Sequence, residues 1–156
     1  MSTRLDQIDR RILRAVQDNC LCGADELGAL CGVSPSTALR RLKRLRRAGV
    51  VKAEIAVLDP KKVGQPLLMI VGVCLSKDSP AVSAAFAARM RAHPAVVQCY
   101  FVTGPSDYLV HVSAADMDDF NAFVQQELVS NPHITMTTTH VVINPIKVGL
   151  AVPIGE

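Results

Sequence analysis

The residue types and spacings most suited to chemistry lie in the stretch Ser34–Gly49, SPSTALRRLKRLRRAG, where the hydroxyls Ser34, Ser36 and Thr37 precede the cations Arg40, Arg41, Lys43, Arg44 and Arg47. Long cationic side chains neutralise phosphates, and short hydroxyls can meet base edges, so the pattern fits a helix lying in the major groove of double-stranded DNA. Arg40, Arg41, Lys43, Arg44 and Arg47 are expected to serve phosphates and positioning. Ser36 and Thr37, with Arg40, are expected to approach bases. A solvated amphipathic helix whose charges only confer solubility is the competing reading.

Local signals mark this stretch as one helix. Ser34 can cap the first turn, and Pro35 fits at the first helical position, where no N–H is needed. Gly49 can adopt the left-handed conformation that closes a helix, and the basic last turn complements the helix dipole. At about 100° per residue, Ala38, Leu39, Leu42 and Leu45 share one face, while Thr37, Arg40, Arg44 and Arg47 centre the other. Residues 24–32, ADELGALCG, form a shorter helix burying Leu27, Leu30 and Cys31, and Gly32 allows a tight turn into Val33 and Ser34. Upstream, Leu5, Ile8, Ile12, Leu13 and Val16 recur at helical steps, with Asp6 and Asp9 in the first turn, where the dipole favours anions. Three helices closing a small core make a helix-turn-helix unit.

Charge divides the chain. Residues 1–62 carry 13 of the 17 Lys and Arg and seven of the 14 Asp and Glu, a formal +6; the remainder carries four and seven, a formal −3. A basic head on an acidic body suits a protein that meets a polyanion with one part only. No apolar run is long enough to span a bilayer, and the first residues lack the apolar core of a secretion signal, so a cytoplasmic location without a membrane partner is expected. Five scattered cysteines argue against a disulfide framework.

The segment Val50–Asp59 reads as a strand stopped by Pro60, and Lys61–Pro66 as a turn-rich break. Beyond it, Leu67–Leu75 is an apolar run of strand length, and a helix runs from Ser79 and Pro80 to about Ala92, with Val82, Ala85, Phe86 and Met90 inside. Strands follow at Val96–Val102 and Tyr108–Val112. Asp116 then caps a helix burying Met117, Phe120, Phe123, Val124 and Leu128. Ile134–Ile143 is the last strand, and Val148–Ile154 a short apolar tail. This βαββαβ order predicts a ferredoxin-like, four-stranded antiparallel sheet with both helices on one face. The bare face, on a domain of limited size, calls for a second copy, hence a homodimer at least. The fold class is α+β, with a helix-turn-helix domain over 1–52, a strand and linker over 53–66, and the ferredoxin-like domain over 67–156.

LDQIDRRIL, ELGALCGVSPSTALRRLKRLRRAGVV and LDPKKVG resemble the N-terminal half of the Lrp/AsnC transcriptional regulators. The similarity extends over essentially the whole chain. It implies a linker strand that helps pair two protomers, and a C-terminal domain that dimerises, assembles into tetramers or octamers, and binds an amino-acid effector between protomers. The turn Thr103-Gly104-Pro105-Ser106-Asp107-Tyr108, which spacing alone leaves open between a plain hairpin and a site, then matches the family's glycine, two variable residues and aspartate. The resemblance thus implies Thr103, Gly104, Asp107 and Tyr108 as effector-binding residues, with Met136 and Thr138 contributing from the neighbouring strand or protomer.

Other chemistry finds little support. Cys20-Leu21-Cys22 with Cys31 lacks the spacing of a zinc knuckle, and the four histidines, at 93, 111, 133 and 140, lack a matching nucleophile or carboxylate pattern. The sequence therefore reads as a transcriptional regulator modulated by a small molecule, with no cofactor, no metal and no catalysis. An architectural DNA-binding protein needing no ligand, and a small thiol- or metal-dependent enzyme, are the alternatives.

Overall fold

Asp6 opens the first helix, α1 (Gln7–Asp18), through a capping box: its carboxylate accepts from Asp9 N–H, and the Asp9 carboxylate accepts from Asp6 N–H. Two of the orphan donors that every helix start leaves are thereby satisfied. The computed structural model describes residues 4–76 and 79–155. Two compact units emerge, one taking in the chain up to Ala56 together with the segment from Lys147 onward, the other spanning Val57–Ile146.

In the first unit α1 packs with α2 (Ala24–Cys31) and α3 (Pro35–Arg47) around Ile12, Leu13, Leu27, Cys31, Ala38, Leu42 and Leu45. The α2–α3 turn is tight. Gly32 takes φ 70°, Val33 N–H donates to Gly28 O at 3.0 Å, and a Cβ on Gly28 would stand 2.8 Å from the Val33 carbonyl oxygen. Ser34 caps α3 by accepting from Thr37 N–H, with Pro35 next, as the residue types imply. At its other end Val50 N–H reaches back to Leu45 O and Gly49 N–H to Arg46 O, with Gly49 at φ 69°. That is a Schellman closure.

Two leucines expected inside are not: Leu30 is 60% and Leu39 46% exposed. Gly28 turns inward on α2, where a Cβ would meet the Val33 carbonyl and Pro35, and Arg41 turns inward on α3 toward Asp6 and Asp9 of α1. The tail also departs from expectation. Assigned from sequence to the second domain, it folds with the first, Ile154 packing on the helical core. Nor does Val50–Asp59 form a strand. A strand needs a hydrogen-bonded neighbour, and this segment pairs with no other strand among the described residues, leaving Ile55, Val57 and Leu58 exposed.

The second unit holds β1 (Leu67–Leu75), α4 (Pro80–Ala92), β2 (Val96–Phe101), β3 (Tyr108–Ala114), α5 (Met117–Phe123) with a π-helical continuation over Val124–Val129, and β4 (Ile134–Val141). The sheet is antiparallel in the order β2-β3-β1-β4, the ferredoxin-like arrangement that the βαββαβ order implies. Alternation along β1 and β3 sends Met69, Val71, Val73, Leu75, Tyr108, Val110 and Val112 into the core with Phe86, Met90, Phe120, Phe123 and Leu128. Met117, expected inside, is 54% exposed; it stands at the first position after the Asp116 cap, before the helix meets the sheet. Ala85 is likewise exposed, with Ala87 packing on the core in its place.

Residues directly opposite across paired strands share a face. Gln98–His111–Ile70–His140 therefore forms one row across the outer face, and Tyr100–Leu109–Gly72–Thr138 the next, with Cys74 beside Met136. No Asp, Glu, Lys or Arg occupies these rows. No helix among the described residues is long and apolar enough to cross a membrane.

Candidate DNA and effector surfaces

The cations of α3 separate into two groups. Arg41 Nη1 bonds Asp6 Oδ2 at 2.5 Å and Asp9 Oδ1 at 3.0 Å, while Arg44 Nη2 bonds Asp9 Oδ2. Asp9 is 1% exposed, so one buried carboxylate at the start of α1 holds two guanidiniums of α3. Asp9 N–H and the Arg41 guanidinium, both donating to Asp6, hold that carboxyl below its usual range, and the two carboxylates raise Arg41. Arg41 is only 22% exposed, and its Nε is buried without a partner. Arg41, expected on a phosphate, is thus placed on α1 instead. Arg44, 54% exposed, keeps part of its guanidinium in solvent while paired.

Arg40, Lys43 and Arg47 are exposed and enter no ion pair among the described residues. Arg46, overlooked by the sequence reading, pairs with Glu54 at 2.6 Å. At the N-terminal end of α3 the Ser34 hydroxyl donates to Thr37 Oγ1 at 2.9 Å and lies 3.2 Å from Ser36 Oγ. The three hydroxyls thus form one cluster, Ser34 and Ser36 exposed and Thr37 half-buried, at the positive end of the helix dipole, beside a row of three cations without an ion pair among the described residues.

In the sheet unit the turn after β2 folds over β1. Asp107 N–H donates to Val73 O at 2.9 Å, and Val102 N–H to Asp107 O at 2.9 Å. Asp107 Oδ2 accepts Leu75 N–H at 2.8 Å, where the β1–β4 register shifts between Cys74 and Leu75. One carboxylate oxygen is thus committed to β1. Cys74 donates its thiol to Pro105 O at 3.1 Å, and Ser106 occupies the space a Cβ on Gly72 would need, only 2.6 Å from its Oγ. Gly104 takes φ 122°, a conformation other residues rarely adopt.

Gly72 and Cys74 escaped the sequence reading, although a glycine inside an apolar strand run is itself a sign of close approach. Thr103, Gly104 and Asp107 come together at the turn, and the strand pairing sets Met136 opposite Cys74 and Thr138 opposite Gly72 on the outer face. Tyr108 departs from the set. Alternation turns it to the opposite, inner face, where it is 4% exposed, meets the Phe86 ring at a tilt of 57° with centroids 4.8 Å apart, and donates its hydroxyl to the Ser83 carbonyl at 3.1 Å. A 360 Å³ cleft lined by Met90, Val96, Phe101 and Tyr108 opens on that side, and none of the other five effector candidates lines it.

The cysteines are free, and burial pushes the Cys31 and Cys99 thiols up, away from the thiolate form. Among the described residues no group of three or more His, Cys, Asp or Glu is placed to hold a metal ion.

Two family models match. Residues 5–52 match winged helix-turn-helix DNA-binding, and residues 68–152 match the Lrp/AsnC ligand binding domain. The HTH-type transcriptional regulator y4tD of Sinorhizobium fredii is 37% identical over 96% of this chain and 89% of its own. The leucine-responsive regulatory protein of Haemophilus influenzae is 34% identical over 92% of this chain and 86% of its own. Among solved structures, a transcriptional regulator of Neisseria meningitidis in complex with L-Met superposes with a TM-score of 0.90 at 34% identity, covering 96% of this chain and 97% of that one. An AsnC family transcriptional regulator from Agrobacterium tumefaciens gives 0.90 at 26% identity with the same coverage. With a helix-turn-helix unit matched at one end and a ligand-binding unit at the other, the chain belongs to the Lrp/AsnC family of transcriptional regulators.

Proposed function

We propose that α3 enters the major groove of an operator, with Arg40, Lys43 and Arg47 on phosphates, Arg44 sharing its charge between Asp9 and a phosphate, and Ser36 and Thr37 turned toward base edges. The single observation that carries this reading is the row of exposed cations, without an ion pair among the described residues, beside the hydroxyl cluster, on a helix held in place by Asp9. Two copies meet through the uncharged outer face of the sheet, so two recognition helices reach neighbouring grooves of a pseudo-palindromic site. Such dimers assemble further, to tetramers or octamers.

Thr103, Gly104 and Asp107, with Met136 and Thr138, form the effector surface. A second protomer completes it. The free oxygen of Asp107 suits an ammonium group. Cys74, Met136 and Leu109 offer only uncharged neighbours, favouring an amino acid with an apolar side chain, and the L-Met in the Neisseria meningitidis complex is of that kind. The protein acts in the cytoplasm, without catalysis.

Footprinting on operators selected from random duplexes tests the DNA half: paired, symmetric protections about one helical turn apart, or a multiple of that, are expected. An asymmetric site covered by a lone monomer would refute it. A thermal-shift panel of amino acids tests the effector half, since a ligand of the folded state raises Tm.

A further inference from the structure

Arg10, Arg14 and Gln17 lie four and three residues apart and so share one stripe along α1. Each grips a backbone carbonyl of the same extended segment. Arg10 Nη1 donates to Gly155 O at 2.7 Å, Arg14 Nη2 to Ile154 O at 2.9 Å and Gln17 Nε2 to Val152 O at 3.0 Å. Gln17 Oε1 accepts Val152 N–H in return at 2.9 Å, and the Ile154 side chain packs against the helical core. Four hydrogen bonds and one apolar anchor thus seat a segment that forms no helix or strand.

What this segment joins gives it a role. It continues the chain from β4, the strand carrying Met136 and Thr138, and it ends on α1, the helix whose Asp9 holds Arg41 and Arg44 of α3. The chain passes between its two units twice, at Ala56–Val57 and again at Ile146–Lys147. The first crossing leads away from α3 through a segment without regular structure; the second terminates on the helix that positions α3.

We propose that the Arg10–Arg14–Gln17 stripe is a docking surface for residues 152–155, and that this strap relays effector occupancy from β4 through α1 to the recognition helix. The inference rests on the assignment of β4 to the effector surface. A change at Met136 and Thr138 that displaces the end of β4 alters the pull on the strap. The strap either keeps its seat and turns α1 with it, or leaves and frees α1 to shift. In both cases Asp9 moves, and with it the two arginines that fix α3. Gln17 is a positioning residue here, with no contact to DNA or effector assigned to it.

The test compares the full chain, a chain ending at Gly149, and the full-length variant Gln17→Ala, which loses two of the four strap bonds without altering charge. L-leucine and L-methionine are the probes. For each protein, Tm with and without probe reports binding and folding, and operator affinity with and without probe reports coupling. The full chain should change its operator affinity on binding a probe by about 5- to 150-fold, the usual range of allosteric coupling. The shortened chain should bind the probe equally well yet change by less than about twofold, with Gln17→Ala between them. Amide exchange at Val152 should respond to probe in the full chain.

A folded shortened chain that retains the whole effect overturns the strap and leaves the effector reading intact. Should shortening prevent folding, an undiminished effect in folded Gln17→Ala overturns it instead. A full chain that binds neither probe, or binds without any change at the operator, removes the effector reading and the strap with it.

Discussion

The two units solve opposite electrostatic problems. The helical unit buries a carboxylate and wraps it with two guanidiniums, so that its orientation depends on charge. The sheet unit leaves an outer face whose paired rows, among the described residues, carry no Asp, Glu, Lys or Arg. The helical unit must hold a cationic helix rigidly at an angle while presenting the remaining cations to a polyanion, and an internal anion does both. In the proposed dimer a second copy covers that face of the sheet unit, which then loses its water, and every charge there would add a desolvation cost.

The greatest effect should come from Asp9. Asp9→Ala removes the anion shared by Arg41 and Arg44 and half of the α1 capping box. Removing one partner of a buried pair costs about 3 kcal/mol at the lower end of the usual range, where partial rehydration of Arg44 places it. Urea denaturation should show the loss in the helical unit alone; an unchanged midpoint would end the view that charge orients α3.

Two glycines sharpen the contrast at a smaller scale. A Cβ on Gly28 meets backbone, at 2.8 Å from Val33 O and 3.0 Å from Pro35 N, whereas one on Gly72 meets the movable hydroxyl of Ser106 at 2.6 Å. Gly28→Ala should therefore cost about 1–3 kcal/mol and weaken DNA binding by splaying α2 from α3. Gly72→Ala should leave stability and DNA binding nearly intact while displacing the turn, and so reduce probe affinity in calorimetry. Equal melting losses in the two variants would contradict this distinction.

The cations of α3 differ by a single unit of salt slope. Arg40→Ala, Lys43→Ala and Arg47→Ala should each weaken binding to all duplexes alike and lower the slope of log affinity against log salt by about one. Arg41→Ala should leave that slope unchanged and lower Tm. A lowered slope for Arg41→Ala would return it to the phosphate contacts.

Acid should act on the sheet unit through His111, whose pKa burial lowers from 6.5. Because the folded form resists the proton more than the unfolded form does, this stability is complete above about pH 6.5 and is lost as pH falls through the lowered folded value. His111→Gln should flatten that part of the stability profile between about pH 7 and pH 5. An identical acid limb in the variant would place the sensitivity elsewhere.

Local grammar accounts for what was legible without a structure. Ser34, Pro35 and Gly49 bound α3, Asp116 caps α5, and the alternation along β1 separates inner from outer residues, because capping, helix closure and pleating depend on neighbours a few positions apart. The α+β class, the βαββαβ order, the helix-turn-helix and the position of the turn at Gly104 all follow from such signals. Contacts across long separations were decided by tertiary structure. Nothing near Arg41 in the chain indicates that Asp6 and Asp9, 35 and 32 residues away, would claim it. Tyr108 adjoins Asp107 in sequence yet points to the other face, since a strand reverses its side chains at every step. The segment Val50–Asp59 has the composition of a strand but no partner strand among the described residues, and the tail, 135 residues beyond Gln17, finds its seat on α1 only once the chain has folded. Propensity acts through adjacent residues, whereas ion pairs, strand pairing and docking depend on which surfaces the fold brings together.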